Sequence, residues 1–222
     1  KIIRSIDDPR IKIFQNEFNL GPQETWSKLI DLAEGRFFKI VCHDDVLYEE
    51  CVAVQVKMLE ENGQVILVAS NRDIIDKNDT VVFSPDRFRQ DNRVSGRKLL
   101  RSCLRKGTNI IGEPHAVMFR MCVIRRESIK FSDNFYLIDL EFYSEVLLYG
   151  DAFLISRKLS AFRVYKEAGS YRLLMNQSEG FIKFVEKLKK RGDYTISFFD
   201  FFLAKTMSLG NQLGRILFYR LL

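Results

Sequence analysis

The feature that most constrains this chain is the alternation of strand-like apolar runs with amphipathic helix-like runs over its first half. Such a chain must cover its strands with helices, which argues for a layered α/β sheet. Ile11–Phe14 reads as a short alternating strand, closed by turn-forming residues from Asn16 to Gly21. Pro22 sits where the first turn of a helix accepts proline. That helix is predicted to run to about Glu34, with Trp26, Leu29, Ile30 and Ala33 on one face and Gly35 as its stop. Phe37–Cys42 is an apolar strand carrying one lysine, hence a buried one, and His43, Asp44 and Asp45 follow at its end. A helix over Tyr48–Glu61 and a strand over Val65–Ala69 complete the pattern.

The middle is more polar. Asp76–Arg93 is predicted as a long surface loop, and Ser95 as the cap of a basic helix, Arg97–Lys106, ended by Gly107. Ala116–Val123 reads as a strand, Asp139–Leu148 as a helix, and Phe153–Val164 as a strand pair or a bent strand. From Tyr171 the texture changes. Phe181, Phe184, Val185 and Leu188 recur at helical spacing beside basic residues, and an aromatic run from Phe198 to Phe202 leads into a stretch rich in Leu and Arg. The organisation expected is an α/β catalytic region over 1–170 and a helical extension over 171–222.

The 222 residues are 46% hydrophobic and 29% charged, enough apolar matter for a core and too much for disorder. The net charge of +6 is a mild excess, compatible with phosphorylated ligands or anionic membrane surfaces. Cys42, Cys51, Cys103 and Cys122 form no C-x-x-C pair and read as reduced thiols of a cytoplasmic protein. No apolar run approaches the ~18 residues of a bilayer span. The basic residues are scattered and no nucleic-acid-binding signature is present, so no nucleic-acid partner is expected.

In open α/β sheets, ligands gather at the carboxyl ends of strands, where Asp44 and Asp45 are expected. Two adjacent acids there can hold a hard divalent cation against phosphate oxygens. Equally, either acid can cap the helix that follows.

The surroundings add a resemblance. NLGPQETWSKLIDLAEGRFFKIVCHDD, LYEECVAVQVKMLEENGQVILVAS, IIGEPHAVMFR, FYLIDLEFYSEVLLYGD and RKLSAFRVYKEAGS follow, in order, the pattern of bacterial family 2 glycosyltransferases of the GT-A fold over about residues 8–170. The resemblance implies a Rossmann-like mixed, mostly parallel sheet flanked by helices. It also implies an inverting enzyme that moves a sugar from a nucleotide-diphosphate donor to a hydroxyl acceptor in cell-surface polysaccharide synthesis. By the same resemblance Asp45 would bind Mg2+ or Mn2+, and Asp44 would contact the donor or share the cation. Asn19, Gly21 and Trp26 would lie at the nucleotide. Asp139 would be the general base, although it also fits the N-terminus of its helix. Glu113 and Glu141 would belong to the acceptor region, together with the loop Asp76–Arg93. Arg163 would meet a phosphate or sit at the surface.

Departures from the pattern are visible. Cys42 stands where the family often has a further acid, and Ser27 where relatives carry Asn. The family's first strands and its D-D-x-S-x-D motif would precede Lys1, an expected segment of roughly 40 residues. The partners implied are a nucleotide-sugar donor, a saccharide or lipid-linked acceptor, the inner face of the cytoplasmic membrane through the C-terminal helices, and a second copy of the chain. The alternative is a non-catalytic GT-A-like module that binds a nucleotide sugar or a partner.

Overall fold

The computed structural model describes residues 3–132, 134, 136–165 and 174–221. Its centre is β3 (Val65–Ile75), whose residues are buried almost without exception. Leu67, Val68 and Ala69 have no exposed surface. Burial of a Val or Leu side chain contributes about 1.5–3 kcal/mol, so this strand alone anchors the sheet. β3 lies between β6 (Val117–Arg120), antiparallel, and β7 (Asp151–Arg163), parallel. β1 (Phe37–Phe38) extends the β6 side and β2 (Val46–Leu47) the β7 side. β4 (Val81–Phe83) pairs with β3, and β5 (Asn92–Ser95) with β7.

The sheet is mixed, as the resemblance implies, but parallel pairing is the minority among the described strands: β3 with β7 alone. The reason is chain connection. Residues 76–80 return β3 directly into β4, and such a short link forces antiparallel pairing, whereas β3 and β7 are joined by a long crossover containing helices. β7 is one continuous strand with register shifts, which settles the choice between a pair and a bent strand.

Helices cover the sheet. α1 (Gly21–Leu32), α2 (Cys51–Glu61) and α3 (Gly96–Lys106) fall close to their predicted spans. Ser95 Oγ accepts the N–H of Lys98 at 3.3 Å, and Gly107 ends α3 at φ 62°, a left-handed conformation that favours glycine. The expected strand to Val123 stops at Arg120, where α4 (Met121–Arg126) begins, and α5 is Ile138–Val146. Cys51 and Leu59 of α2 pack with Val65, Val68, Ile155 and Leu159, while α3, α4, α5 and the later helices share a larger apolar cluster.

Two strand predictions fall short. Ile11–Phe14 forms no strand, and Ile11, Ile13 and Phe14 stand exposed. Alternation marks a strand only where a neighbouring strand supplies hydrogen bonds, and none lies beside this segment among the described residues. The Phe37–Cys42 run pairs only through Phe37 and Phe38. Beyond them the Lys39 ammonium takes the carbonyls of His115 and, at 3.2 Å, Val117, in place of strand pairing. The predicted loop Asp76–Arg93, in turn, contains β4 and the start of β5.

The C-terminal helices belong to the same core. Phe181, Phe184, Val185 and Leu188 of α6 (Gln177–Arg191) join the large cluster, as does Ala204 of α7 (Phe198–Leu221). The basic face of α3 serves as the dock for α7. Asp200, fully buried, accepts from Arg101 at 2.9 Å and from Arg105 at 2.6 Å, and Ser197 N–H and Oγ–H also donate to it. A buried acid held by two guanidiniums stays ionised, and losing either partner would leave its charge uncompensated.

Candidate active site

The 107–113 loop, the start of α5, the end of β7 and one face of α7 enclose a cavity of about 510 Å³. Its polar groups include those of Arg87, Asn109, Glu113, Asp139 and Arg215, and its apolar wall includes Phe162, Phe181 and Phe218.

Asp139 is the second residue of α5, and Leu137, at the N-cap position, makes no side-chain cap. Asp139 Oδ1 accepts the Leu140 N–H at 2.7 Å, and Oδ2 accepts Asn109 Nδ2 at 2.8 Å. Asn109 is itself locked. Its Oδ1 accepts the N–H groups of Ile111 and Gly112, and its Nδ2 also donates to Gly112 O. The carboxylate is therefore aimed by a rigid loop. Burial, opposed by these hydrogen bonds and helped by the nearby charge of Glu113, pushes the Asp139 pKa up to about 6. An acid with that pKa is ionised at neutral pH yet basic enough to accept a proton.

Glu113 lies beside it and is paired with Arg72, a guanidinium buried inside β3. Burial pushes the Glu113 carboxyl up, but the charges of Arg72, Arg87 and His115 outweigh it and hold the pKa at about 2. Gly112 makes this approach feasible. It adopts φ 133°, and a Cβ there would stand 3.3 Å from Arg72 Nη1.

The strand-end acids occupy a different position. Asp45 is almost fully buried, with Oδ2 2.9 Å from His115 Nδ1 and Oδ1 accepting the Arg163 N–H at 3.3 Å. Neither nitrogen of the buried His115 ring has a hydrogen-bond partner of good geometry among the described residues. The ring stacks on Phe162, which lines the cavity. Asp44 is a quarter exposed, and Tyr165 OH donates to it at 3.1 Å. Arg163 fastens this loop by donating to Asp44 O at 2.8 Å, Asp76 O at 2.8 Å and Asp79 Oδ1 at 2.6 Å. Cys42 ties the two acid groups together: burial and the charges of Asp45, Asp44 and Asp139 push its thiol up to about 12. It is therefore an unreactive thiol between the strand-end acids and the helix acid.

Asp139 and Glu113 thus share one cavity, with Asp44 and Asp45 behind Cys42 and Phe162. The remaining candidates lie elsewhere. Asn19 Oδ1 accepts the Gly21 N–H at 2.9 Å, and Gly21, at φ 72°, opens α1, so both shape a turn. Trp26 packs edge-on against Phe131 at 5.3 Å, partly buried on the core. Glu141 is not brought into the cavity. Two positions past Asp139 on a helix it faces another way, and its oxygens accept from Asn134 at 2.6 Å and Lys187 at 2.7 Å. It lines a separate polar recess. Arg72, Asn109 and Arg215 are site residues that motif reading missed. Arg72 had a signal, a guanidinium in a polar stretch, Ser70–Asp73, that continues a buried apolar strand. His115 had another, standing where the family segment carries serine.

Of the two strand-end acids, Asp44 alone offers an accessible carboxylate for a divalent cation held mainly by a substrate's phosphates. Asp45 is turned onto His115 and the Arg163 N–H, with almost no exposed side chain. Among the described residues no group of three or more His, Cys, Asp or Glu side chains gathers as a closed protein cage. Mg2+ is commonly held by one or two carboxylates plus phosphate oxygens and water.

The mixed sheet flanked by helices defines a GT-A-like architecture, and comparison with known proteins agrees. The sequence is 30% identical over 84 residues to the uncharacterized glycosyltransferase MJ1057 of Methanocaldococcus jannaschii, over 37% of this chain and 29% of that protein. The structure resembles S. aureus TarS 1–349 in complex with UDP-GlcNAc, with a TM-score of 0.60 and 16% identity, covering 80% of this chain and 50% of that one. Its complex with UDP matches with a TM-score of 0.53 and 12% identity, covering 87% and 72%. The chain thus spans about half the length of the UDP-GlcNAc complex and less than a third of the archaeal relative. The sequence model of glycosyl transferase family 2 matches residues 1–130. The chain belongs to glycosyl transferase family 2.

Proposed function

We propose that the protein is an inverting glycosyltransferase that moves a sugar from a nucleotide-diphosphate donor to a hydroxyl acceptor, with Asp139 as general base. The observation that carries this reading is the Asp139 carboxylate, aimed into the cavity by Asn109 with a pKa near 6. Asp139 accepts the acceptor's hydroxyl proton as that oxygen attacks the anomeric carbon. The bond from that carbon to the diphosphate oxygen breaks, and the nucleoside diphosphate leaves with the electron pair. Glu113, locked to Arg72, keeps its negative charge beside Asp139 and so favours proton uptake there. Asp44 would hold Mg2+ or Mn2+, which when bound neutralises the leaving diphosphate; the family pattern also names Asp45, which would have to turn away from His115 to join it. Asn19, Gly21 and Trp26 remain candidates for the nucleotide end of the donor through the family pattern.

UDP-GlcNAc and UDP, the ligands of the TarS structures, are the first ones to test. Calorimetric titration of UDP with Mn2+ and with EDTA is expected to give binding that weakens at least ~10-fold without the cation, and again in Asp44→Asn. Equal affinity in all three conditions would remove the cation from this reading. A nucleotide-binding module without turnover is the competing outcome, marked by UDP binding with no donor cleavage.

The acceptor and location inferred are a saccharide or lipid-linked saccharide of a cell-surface polysaccharide, at the inner face of the cytoplasmic membrane. Among the described residues no helix is long and apolar enough to cross a membrane. Support for surface attachment comes from α7, where Phe198, Phe202, Leu209, Leu213 and Leu217 are exposed at helical spacing, near exposed Lys205 and Arg220. An apolar stripe with flanking cations suits an anionic bilayer surface. Flotation with vesicles containing phosphatidylglycerol is expected to carry the protein, and Phe198→Ser/Phe202→Ser/Leu209→Ser is expected to abolish it. Absence of flotation, with a dimer in sedimentation, would give the stripe to a second copy.

A further inference from the structure

The cavity beside Asp139 is lined by two cations, Arg87 and Arg215, and two acids, Glu113 and Asp139, with Arg72 paired to Glu113 from inside β3. Arg72, Arg87 and Arg215 interact there with Glu113, and Asp139 is the other acid. Arg72 is taken up by its pair with Glu113. Arg87 and Arg215 are held only by neutral acceptors. Arg87 Nη1 donates to Asn109 O at 3.0 Å, and Arg215 donates to Gln177 Oε1 and, at 2.6 Å, to Thr108 Oγ1. Among the described residues neither forms a salt bridge. Each guanidinium has five N–H donors, so both retain several, and both line the cavity.

Arg87 is exposed and Arg215 half-buried, so both keep N–H groups open to a ligand, and they stand close enough for the charge of Arg215 to act on Arg87. Two neighbouring cations are stabilised by an anion that binds between them. They come from two distant elements, the segment between β4 and β5 and the terminal helix α7, which lies outside the part of the chain matched by the family. Asp44 and Asp45, where a donor diphosphate and its cation are expected, do not line this cavity, whereas Asp139 does.

We propose that Arg87 and Arg215 form a subsite for a phosphate or phosphodiester group of the acceptor, next to the hydroxyl that Asp139 deprotonates. This rests on the reading of Asp139 as the base. The acceptor class is then a phosphorylated saccharide or polyol. The terminal helix is part of the binding site and not only an appendage, since Arg215 reaches the cavity through the docking of α7 on α3.

Inorganic phosphate and methyl phosphate, titrated into the full chain saturated with UDP and Mn2+, test this. Wild type is expected to bind both while UDP stays bound. Arg87→Gln and Arg215→Gln should each weaken binding by about 10-fold or more, as loss of one charge-assisted contact implies. Lys190→Gln, an exposed lysine remote from the cavity, should match wild type. Arg87 sits on a separate element, so Arg87→Gln carries the test if loss of Arg215 loosens α7. Phosphate displaced by UDP would assign the arginines to the donor and overturn the proposal, as would unchanged affinity in both variants. Donor cleavage by wild type without phosphate binding would overturn this subsite alone. Phosphate binding without UDP binding or donor cleavage would instead overturn the glycosyltransferase reading on which it rests.

Discussion

Asp139→Asn is expected to lower kcat for sugar transfer by about 10²–10⁴-fold while leaving the donor KM within roughly twofold, because a general base acts in the transition state and not in donor binding. The pH profile follows from the same carboxylate. With a pKa of about 6, wild-type kcat/KM should be level above neutrality, fall to half near pH 6 and then approach a tenfold fall per pH unit below it, a limb that the variant lacks. Stability should move the other way. The folded pKa lies above the unfolded value of 3.8, so the stabilisation from the protonated form is complete below pH 3.8 and lost as pH rises through about 6. Ionised Asp139 therefore weakens the fold at pH 8, by an amount on the order of 1–3 kcal/mol. The asparagine variant is expected to melt a few degrees higher than wild type at pH 8 and no higher at pH 4. A large activity loss with a gain in melting temperature marks a functional acid; a lower melting temperature at pH 8 would mark a structural one.

Arg72→Met carries the second large effect. Arg72 is 2% exposed and Glu113 depends on it for its charge. Removing one partner of a buried pair costs about 3–5 kcal/mol, since the other charge stays in a poor dielectric. For a chain of this size the melting temperature should fall by roughly 6–20 °C at pH 7. Adding Glu113→Gln should restore much of that loss, as replacing both partners of a buried pair by uncharged groups is often nearly neutral. An equal loss in the double variant would mean that Arg72 acts through packing and not through the ion pair.

Much of the fold was legible because local signals agreed with the tertiary outcome. Pro22, Ser95 and Gly107 mark helix ends by backbone chemistry that packing does not override, and α1 and α3 fall where these residues put them. Ile11–Phe14 was misread because its alternation says nothing about whether a neighbouring strand exists. The sheet's parallel character was overestimated because pairing direction depends on connection geometry, which the apolar pattern does not encode. At the cavity, Asp139 and Glu113 were named by the resemblance, while Arg87 and Arg215 were not. Neither lies in a motif, and they meet through the docking of α7, seated by Asp200 between Arg101 and Arg105 of α3 and by Asn211 on the carbonyls of Lys106 and Gly107. Asp45 illustrates the converse. Its motif suggests an open ligand, but the buried His115 that faces it could be found only in three dimensions.

The most direct test is nucleoside diphosphate release from a panel of nucleotide sugars, UDP-GlcNAc first, with Mn2+ and with wild type and Asp139→Asn side by side. Wild type should release nucleoside diphosphate from at least one donor, at a rate that rises through pH 6, and Asp139→Asn should be slower by about 10²-fold or more. Equal rates in the two proteins, or UDP binding with no donor cleaved at any pH, would contradict an enzyme driven by Asp139.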